Sequence, residues 1–287
     1  MIDYILEVRD LEKKYKDFTL DKISFSIPSG TIVGLIGENG AGKSTTINSI
    51  LNLIKKDGGE IKILGKEMTD NDTGMRNDIG VVFDGDNFYE TLTPRKIGNI
   101  MKKIYSNWDT DCFQGYLKKF QLSENKEIKE YSKGMKMKFT IAVALSHNPR
   151  LLILDEATSG LDPIVRDEVL DIFLDFVQDE THAVLVSSHI TSDLEKIADY
   201  ITFIHEGKLI FSLAKDELIY NYGIIKCGKE QFVKIDRNDI ITYRKKDYEY
   251  EVLVSDKAKM ERKYKNCLMN DVSIDDIMLL YVKGETV

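Results

Sequence analysis

The chain has 287 residues, which is long enough to bury a full core as one large domain or as a domain with a smaller appendage. Its formal net charge of −8 lies in the first three quarters of the chain, because residues 215–287 carry 14 basic and 14 acidic side chains. This charge argues against a general nucleic-acid binder, and three scattered cysteines without a C-x-x-C spacing support neither a disulfide framework nor a zinc site.

The opening 30 residues look like antiparallel strands, and after them the pattern changes to strands that alternate with helices. Short runs rich in β-branched residues predict buried strands at 31–36, 79–83, 151–154, 183–187 and 201–205. Apolar residues at three- and four-residue spacing and the position of proline predict helices at 43–54, 94–105, 132–146 and 163–177. This alternation predicts an α/β layer with a largely parallel sheet.

The character of the sequence changes again near Ala214. Residues 223–287 contain an alternating strand at 248–254, a charged helix from Asp256 and a last apolar helix at 274–282, which together predict a small α+β appendage. Its Lys and Arg residues are open to three interpretations: a solvated face, dimer contacts, or contacts with anionic lipid headgroups.

A glycine-rich segment, GENGAGKST at residues 37–45, joins a predicted strand to a predicted helix. It matches the pattern G-x-x-x-x-G-K-[ST], in which backbone N–H groups and a helix N-terminus surround phosphates. Lys43 is expected to reach the β and γ phosphates, the Ser44 hydroxyl to bind Mg²⁺, and Thr45 to contact the α phosphate. The predicted nucleotide-binding residues of this loop are Gly37, Glu38, Asn39, Gly40, Ala41, Gly42, Lys43, Ser44 and Thr45.

A second motif consists of four apolar residues, 151–154, followed by Asp155 and Glu156. Acids at the carboxyl end of a buried strand lie where α/β sheets bind ligands. We therefore expect Asp155 to hold Mg²⁺ through water and Glu156 to orient or deprotonate the attacking water. Acids also end strands simply because they are solvated, but the nearby glycine loop favours the catalytic interpretation.

With these motifs the chain resembles the ATP-binding subunits of ABC transporters over roughly residues 4–214. Residues 131–135, YSKGM, stand in the place of the family's signature sequence, and residues 159–162, SGLD, look like its D-loop. His189 looks like the switch histidine, and Tyr15 resembles the aromatic residue on which adenine stacks. Residues 107–109, NWD, and the segment 131–138 resemble the bacitracin-resistance subgroup of bacterial antibiotic or peptide export ATPases.

The resemblance implies an α/β fold: a P-loop NTPase (RecA-like) core, an N-terminal antiparallel β subdomain, a helical subdomain and the small C-terminal α+β appendage. The ABC ATPase domain would cover residues 1–214, with its helical subdomain at about 84–150. An accessory domain would cover residues 223–287. The helical subdomain would receive a helix from a membrane subunit.

The resemblance also implies a mechanism in which two cassettes, identical or different, close around ATP and Mg²⁺. Lys43, Glu156 and His189 would act in catalysis. The residues that would serve the nucleotide of the second copy in trans are Ser132, Gly134 and Asp162. Hydrolysis would release the clamp and power export through separate membrane permease subunits, so this ATPase would lie in the cytoplasm, on the inner face of the membrane, with no nucleic-acid partner.

Two departures from the family pattern stand out. Asp84 replaces a glutamine that touches Mg²⁺ and reports to the membrane subunit, so it could bind the metal more strongly yet reach less far. Lys133 and Met135 replace the residues that usually flank the signature glycine. Lys133 either adds a positive charge near the triphosphate or points to water, and the sequence leaves both open.

Three other functions compete with the transport ATPase. A nucleotide-dependent regulatory module with slow turnover would agree with Asp84 and the altered signature. A soluble ABC ATPase acting on ribosomes or DNA is disfavoured by the single cassette and the acidic charge. A GTPase is disfavoured because no Asn-Lys-x-Asp motif is present.

No predicted apolar stretch approaches the ~18 residues that span a bilayer, and the N-terminus lacks the apolar core of a signal peptide.

Overall fold

The structure is a computed structural model, and it describes residues 3–67, 73–85 and 87–286. The predicted domain ranges also include residues 1, 2, 68–72, 86 and 287, which lie outside the described residues. The strands are β1 (Tyr4–Lys14), β2 (Thr19–Pro28), β3 (Ile32–Ile36), β4 (Gly58–Ile63), β5 (Lys66–Glu67), β6 (Ile79–Phe83), β7 (Leu151–Asp155), β8 (Ala183–Ser187), β9 (Tyr200–His205), β10 (Lys208–Ala214), β11 (Gly223–Cys227), β12 (Thr242–Lys245), β13 (Tyr250–Val254) and β14 (Leu268–Asn270). The helices are α1 (Lys43–Ile50), α2 (Thr73–Arg76), α3 (Pro94–Ile104), α4 (Thr110–Lys119), α5 (Lys133–Leu145), α6 (Pro163–Phe176), α7 (Thr191–Ile197), α8 (Lys215–Asn221), α9 (Lys229–Phe232), α10 (Lys257–Lys263) and α11 (Ile274–Lys283).

One large sheet joins the two kinds of strand that the sequence predicts. Its order across the described residues is β5-β4-β1-β2-β10-β9-β3-β8-β7-β6. Strands β9, β3, β8, β7 and β6 run parallel, whereas β1 pairs antiparallel with both β2 and β4. The predicted α/β layer with an antiparallel N-terminal part is confirmed.

The parallel strands are buried on both faces, which explains their continuous apolar sequences. In β7, Leu151 and Ile153 pack with α1 and the antiparallel strands, while Leu152 and Leu154 pack with α5, α6 and α7. All four side chains are fully buried. Because the parallel strands share one direction, β3, β6, β7 and β8 end at the same edge of the sheet, where the predicted site residues follow them.

Helices α3, α4, α5 and α6 begin at side-chain caps. Thr93, Asp109, Ser132 and Asp162 each accept a hydrogen bond from the backbone N–H three residues further on. The prediction that the first helix extends to residue 54 is wrong. The helix ends at residue 50, because Asn52 adopts a left-handed backbone with φ of +53° that cannot continue it.

Helices α3, α4 and the first part of α5 form a separate layer within residues 84–150, with its own apolar cluster. Ile97, Phe113 and Phe139 are at its centre, each at most 1% exposed. Trp108, the one tryptophan of the sequence, is half-buried against Phe113, with ring centroids 5.1 Å apart. This layer agrees with the predicted helical subdomain, whose boundaries remain a prediction.

The C-terminal segment forms an antiparallel sheet of order β12-β13-β11-β14. It has a small core of its own, but α11 packs on α7, and Ile277 and Leu280 belong to the main apolar cluster of the molecule. The Ile274 N–H at the start of α11 donates to Glu195 Oε1 at 2.7 Å. The segment is therefore packed firmly against the α/β core.

Several basic side chains of this segment are paired with acids. Lys263 forms ion pairs with Asp239 at 2.5 Å and Asp236 at 3.7 Å, and Lys246 with Glu251 at 2.7 Å. Since these acids offset the positive charge locally, the pairing favours a solvated face over an attraction to anionic lipid.

Candidate functional site

The glycine loop connects the end of β3 to the start of α1 and has a backbone that only glycine readily adopts. Gly42 has φ of +117°, and a Cβ there would lie 2.8 Å from Leu20 Cδ1. A Cβ on Gly37, where φ is +157°, would lie 2.4 Å from the Ile204 carbonyl oxygen. The loop is therefore a close-fitting cradle, in which a side chain at Gly37 or Gly42 would collide with the neighbouring residues.

Lys43, the first residue of α1, bends back over this loop. Its ammonium donates to the carbonyl oxygen of Gly37 at 2.8 Å and to that of Glu38 at 3.3 Å. The residue is only 6% exposed, and its Nζ lies 3.5 Å from Glu156 Oε1. A positive charge held in this way lies where a phosphate on the loop would need it.

Asp155 ends β7, and Glu156 follows it. The neighbouring strand β8 holds both residues in place. Ser187 donates its hydroxyl hydrogen to Asp155 Oδ1 at 2.5 Å, and the Glu156 N–H points at both the Ser187 carbonyl and its Oγ at 3.2 Å. Glu156 has φ of +55°, a left-handed backbone that costs a non-glycine residue about 1–2 kcal/mol. Such strain at the end of a strand is typical of functional sites.

His189 follows β8 and meets the same carboxylate. Its Nδ1 lies 2.5 Å from Glu156 Oε2. Glu156 is thus held between an ammonium on one oxygen and an imidazole on the other. A carboxylate in this position can accept a proton from water while the two nitrogen groups stabilise nearby negative charge.

These residues surround one cavity of about 580 Å³. Its lining includes most of the predicted nucleotide-binding and catalytic residues, namely Tyr15, Glu38, Asn39, Gly40, Gly42, Lys43, Ser44, Thr45, Asp84, Glu156 and His189. Gly37, Ala41 and Asp155 are not in this lining: Gly37 and Ala41 are buried, and Asp155 Oδ1 accepts a hydrogen bond from Ser187. The cavity is large enough for a nucleotide.

The chain is similar to a known protein family and to proteins of known role. The family described as ABC transporter matches residues 20–159. The bacitracin transport ATP-binding protein BcrA of Bacillus licheniformis is 36% identical over 217 residues, which are 75% of this chain and 71% of that protein. The lantibiotic transport ATP-binding protein SrtF of Streptococcus pyogenes is 35% identical over 74% of this chain and 92% of that protein. The chain belongs to the ATP-binding subunits of ABC transporters.

Solved structures of this family agree. The ATP binding subunit of an ABC transporter superposes with a TM-score of 0.68 at 29% identity, over 75% of this chain and 91% of that one. CbiO1 from Clostridium perfringens, part of the transporter complex cbiONQ, gives 0.64 at 27% identity, over 75% and 90%. The predicted family and the P-loop NTPase fold are confirmed, and the chain is an ABC ATPase. In the described part of the chain, no helix is long and apolar enough to cross a membrane.

The residues predicted to act in trans lie outside the cavity of their own ABC cassette. Ser132 caps α5, with Oγ 3.3 Å from the Met135 nitrogen, and Asp162 caps α6 in the same way at 3.1 Å from the nitrogen of Val165. Gly134 packs so closely that a Cβ would lie 3.1 Å from Val165 Cγ1. Their contribution to a nucleotide site remains a prediction that requires a second cassette.

Some residues of the site were not predicted from the sequence. Phe18 lines the cavity, Ser187 fixes Asp155 and the following Glu156, and His205 Nδ1 lies 2.7 Å from Glu38 Oε1. Ser159, which also lines the cavity, belongs to the segment 159–162 that resembles the D-loop. Phe18 lies three residues from Tyr15, with ring centroids 6.5 Å apart, so its aromatic character was an available signal. Ser187 and His205 are recognisable as site residues only once the strands are brought together in the sheet.

The candidate metal ligands lie on three different elements. Ser44 is in α1, Asp155 ends β7, and Asp84 follows β6 with its N–H bonded to the Asp155 carbonyl at 3.0 Å. Among the described residues, no three His, Cys, Asp or Glu side chains form a metal-binding group. A hydroxyl with one or two carboxylates still fits Mg²⁺, because that ion usually takes its other ligands from phosphate and water.

Proposed function

We propose that this ABC ATPase is one of two cassettes that close around Mg-ATP and power export through separate membrane subunits. The observation that carries the proposal is the position of Glu156 between Lys43 and His189 at the wall of the glycine-loop cavity. This geometry supports roles for Glu156 as the base for the attacking water and for Lys43 and His189 at the phosphates.

In this proposal each end of the nucleotide has its own partners. The ring of Tyr15, 48% exposed at the cavity wall, stacks with the adenine, and the glycine-loop N–H groups hold the phosphates. Ser44, Asp84 and, through water, Asp155 would hold Mg²⁺, which would supply positive charge to offset that of the phosphates. From the second cassette, the residues that complete the site are Ser132, Gly134 and Asp162.

An exposed apolar groove on the helical layer supports docking to a membrane subunit. A cavity of about 480 Å³ is lined by Phe88, Leu92 and Ile100 together with Tyr89, which is 82% exposed. Such a groove suits the apolar face of a short helix from the partner. Docking of this kind places the cassette in the cytoplasm, on the inner face of the membrane. Copurification with integral membrane proteins from native membranes in mild detergent tests this part.

The relatives suggest the class of cargo. Their names assign bacitracin and lantibiotic transport to them, and both are antibiotics made from peptides. We therefore infer a peptide antibiotic or a similar compound as the exported molecule. A strain without this gene should become more sensitive to such a compound, and unchanged sensitivity across bacitracin and lantibiotics would contradict the assignment.

A slow regulatory module is the second candidate, because Asp84 replaces the usual glutamine. The two are distinguished by the ATP turnover of the lone protein and of its complex with the membrane subunits. A transport ATPase accelerates in the complex, whereas a regulator stays slow in both.

The substitution Glu156→Gln tests the proposed mechanism. It removes the base but keeps the shape of the side chain, so turnover should fall by a factor of about 10²–10⁴. ATP affinity should change little, and ATP should now hold dimers together, as measured by sedimentation velocity. Glu60→Gln, on the exposed part of β4, is the matched control and should behave as the parent. Parental turnover in Glu156→Gln would remove Glu156 from the mechanism.

A further inference from the structure

The two departures from the family pattern, Asp84 and Lys133, are brought together in space. Asp84 follows β6, Lys133 begins α5, and Lys133 Nζ lies 3.7 Å from Asp84 Oδ1. The two positions are 49 residues apart in the sequence. Replacing an amide by an acid at one place and adding a cation at the other has created an ion pair between the loop after β6 and the signature helix.

Asp84 separates two cavities. It lines the nucleotide cavity of about 580 Å³, and it also lines a second cavity of about 320 Å³ against the start of α5, together with Tyr131 and Lys133. One carboxylate thus faces both the nucleotide site of its own chain and the helix end that, in the proposed dimer, faces the nucleotide of the second cassette.

Lys133 also lies over the loop before α6. A Cβ on Gly160 would lie only 2.8 Å from Lys133 Nζ, so the ammonium occupies space that the missing side chain leaves open. The Lys133 side chain is 53% exposed and that of Asp84 46% exposed. An ion pair this exposed favours the paired arrangement of the two side chains by a factor of only about two to five. Either side chain can therefore exchange its partner easily.

We infer that Lys133 couples the two nucleotide sites of the dimer. This inference rests on the proposed pairing of cassettes. When a second cassette presents its triphosphate to the start of α5, the ammonium exchanges the single carboxylate of Asp84 for an anion with several negative charges. Asp84 is then left facing its own nucleotide cavity without a counter-ion, and cation binding there becomes more favourable. Occupancy of one site therefore strengthens binding at the other, and the effect is reciprocal.

A double-mutant cycle measures this coupling. Glu156→Gln protein without turnover serves as the parent, and Asp84→Asn, Lys133→Gln and the double variant are made in it. For each protein, sedimentation velocity gives the ATP concentration at half-maximal dimer formation in the presence of Mg²⁺. Any loss of metal binding caused by Asp84→Asn occurs with and without the Lys133→Gln substitution and cancels in the cycle.

Lys133→Gln should raise the ATP concentration needed by at least threefold, and Lys133→Arg should restore it because the charge returns. Asp84→Asn changes the ATP concentration at half-maximal dimer formation by some factor. That factor should differ by at least twofold between the protein that keeps Lys133 and the protein that carries Lys133→Gln. Thermal unfolding without nucleotide should change little in all variants, which separates coupling from a structural effect.

The matched control is the exposed pair Lys119 and Asp175, 3.5 Å apart and distant from the glycine loop, whose cycle should show no interaction. Equal effects of Asp84→Asn with and without Lys133→Gln would overturn the coupling while leaving the dimer intact. A parent protein that stays monomeric at every ATP concentration would instead refute the proposed pairing, and the coupling with it.

Discussion

The substitution Leu280→Ala tests whether the C-terminal segment and the ATPase core unfold as one unit. Leu280 lies in α11, is 2% exposed and belongs to the main apolar cluster. Truncating a leucine buried this completely costs about 2–5 kcal/mol, because apolar contacts are lost and a cavity is left. With a urea dependence of about 3 kcal/mol/M, a cost near 3 kcal/mol lowers the unfolding midpoint by about 1 M.

The fluorescence of Trp108 reports on the helical layer. This tryptophan lies in the helical layer, in a different apolar cluster from Leu280. If the packing of α11 on α7 joins the segment to the core, Leu280→Ala shifts the urea midpoint seen by Trp108. The control is Leu268→Ala in β14, where the side chain is 63% exposed and the cost should stay within about ±0.5 kcal/mol. An unshifted Trp108 transition, with a separate early transition in circular dichroism, would refute the reasoning.

Two further predictions follow from the site and from a buried histidine. Gly42→Ala forces φ of +117° on alanine and places a Cβ 2.8 Å from Leu20 Cδ1, so ATP affinity measured by calorimetry should fall at least tenfold; parental affinity would contradict the close-fitting cradle. Burial lowers the pKa of His147, whose Nδ1–H donates a hydrogen bond to the Asn77 carbonyl oxygen, 3.0 Å away. The unfolded chain then binds the proton more readily, so this contribution to the free energy of unfolding is complete above about pH 6.5 and falls as the pH drops through the lower folded pKa. Urea midpoints at pH 7.5 and 5.5 should show the loss, and His147→Gln should show a smaller one; an equal loss in both proteins would assign the pH dependence to other groups.

Local sequence patterns were sufficient to predict the strands and helices that position the site. The strands at 79–83 and 183–187 have the predicted bounds, because each is a short, largely buried run that is rich in apolar residues. The first helix was predicted four residues too long, since the apolar spacing continues after the helix while Asn52 turns the backbone left-handed. The spacing of apolar residues reports which side chains are buried, and it does not report where the backbone stops being helical.

Contacts between distant segments were beyond the sequence. Nothing local to Ser187 indicates that its hydroxyl will meet Asp155, 32 residues away, because that contact depends on β7 and β8 being neighbours in the sheet. The same is true of Asp84 and Lys133, whose replacements were visible separately while their pairing was not. A strand and two helices of the C-terminal appendage could be predicted from the sequence. The packing of α11 on α7 could not, because it depends on the tertiary structure.

In the described part of the chain, ten strands form one continuous sheet, which limits how the parts of this ATPase can move relative to one another. Tyr15 directly follows the antiparallel strand β1, and the glycine loop follows the parallel strand β3. The pairing of β2 with β10 joins the antiparallel and parallel parts into a single sheet. The base and the phosphates of a nucleotide would therefore rest on one stiff platform. In the proposed dimer, the hydrolysed nucleotide would leave when the two cassettes separate, while this platform stays intact.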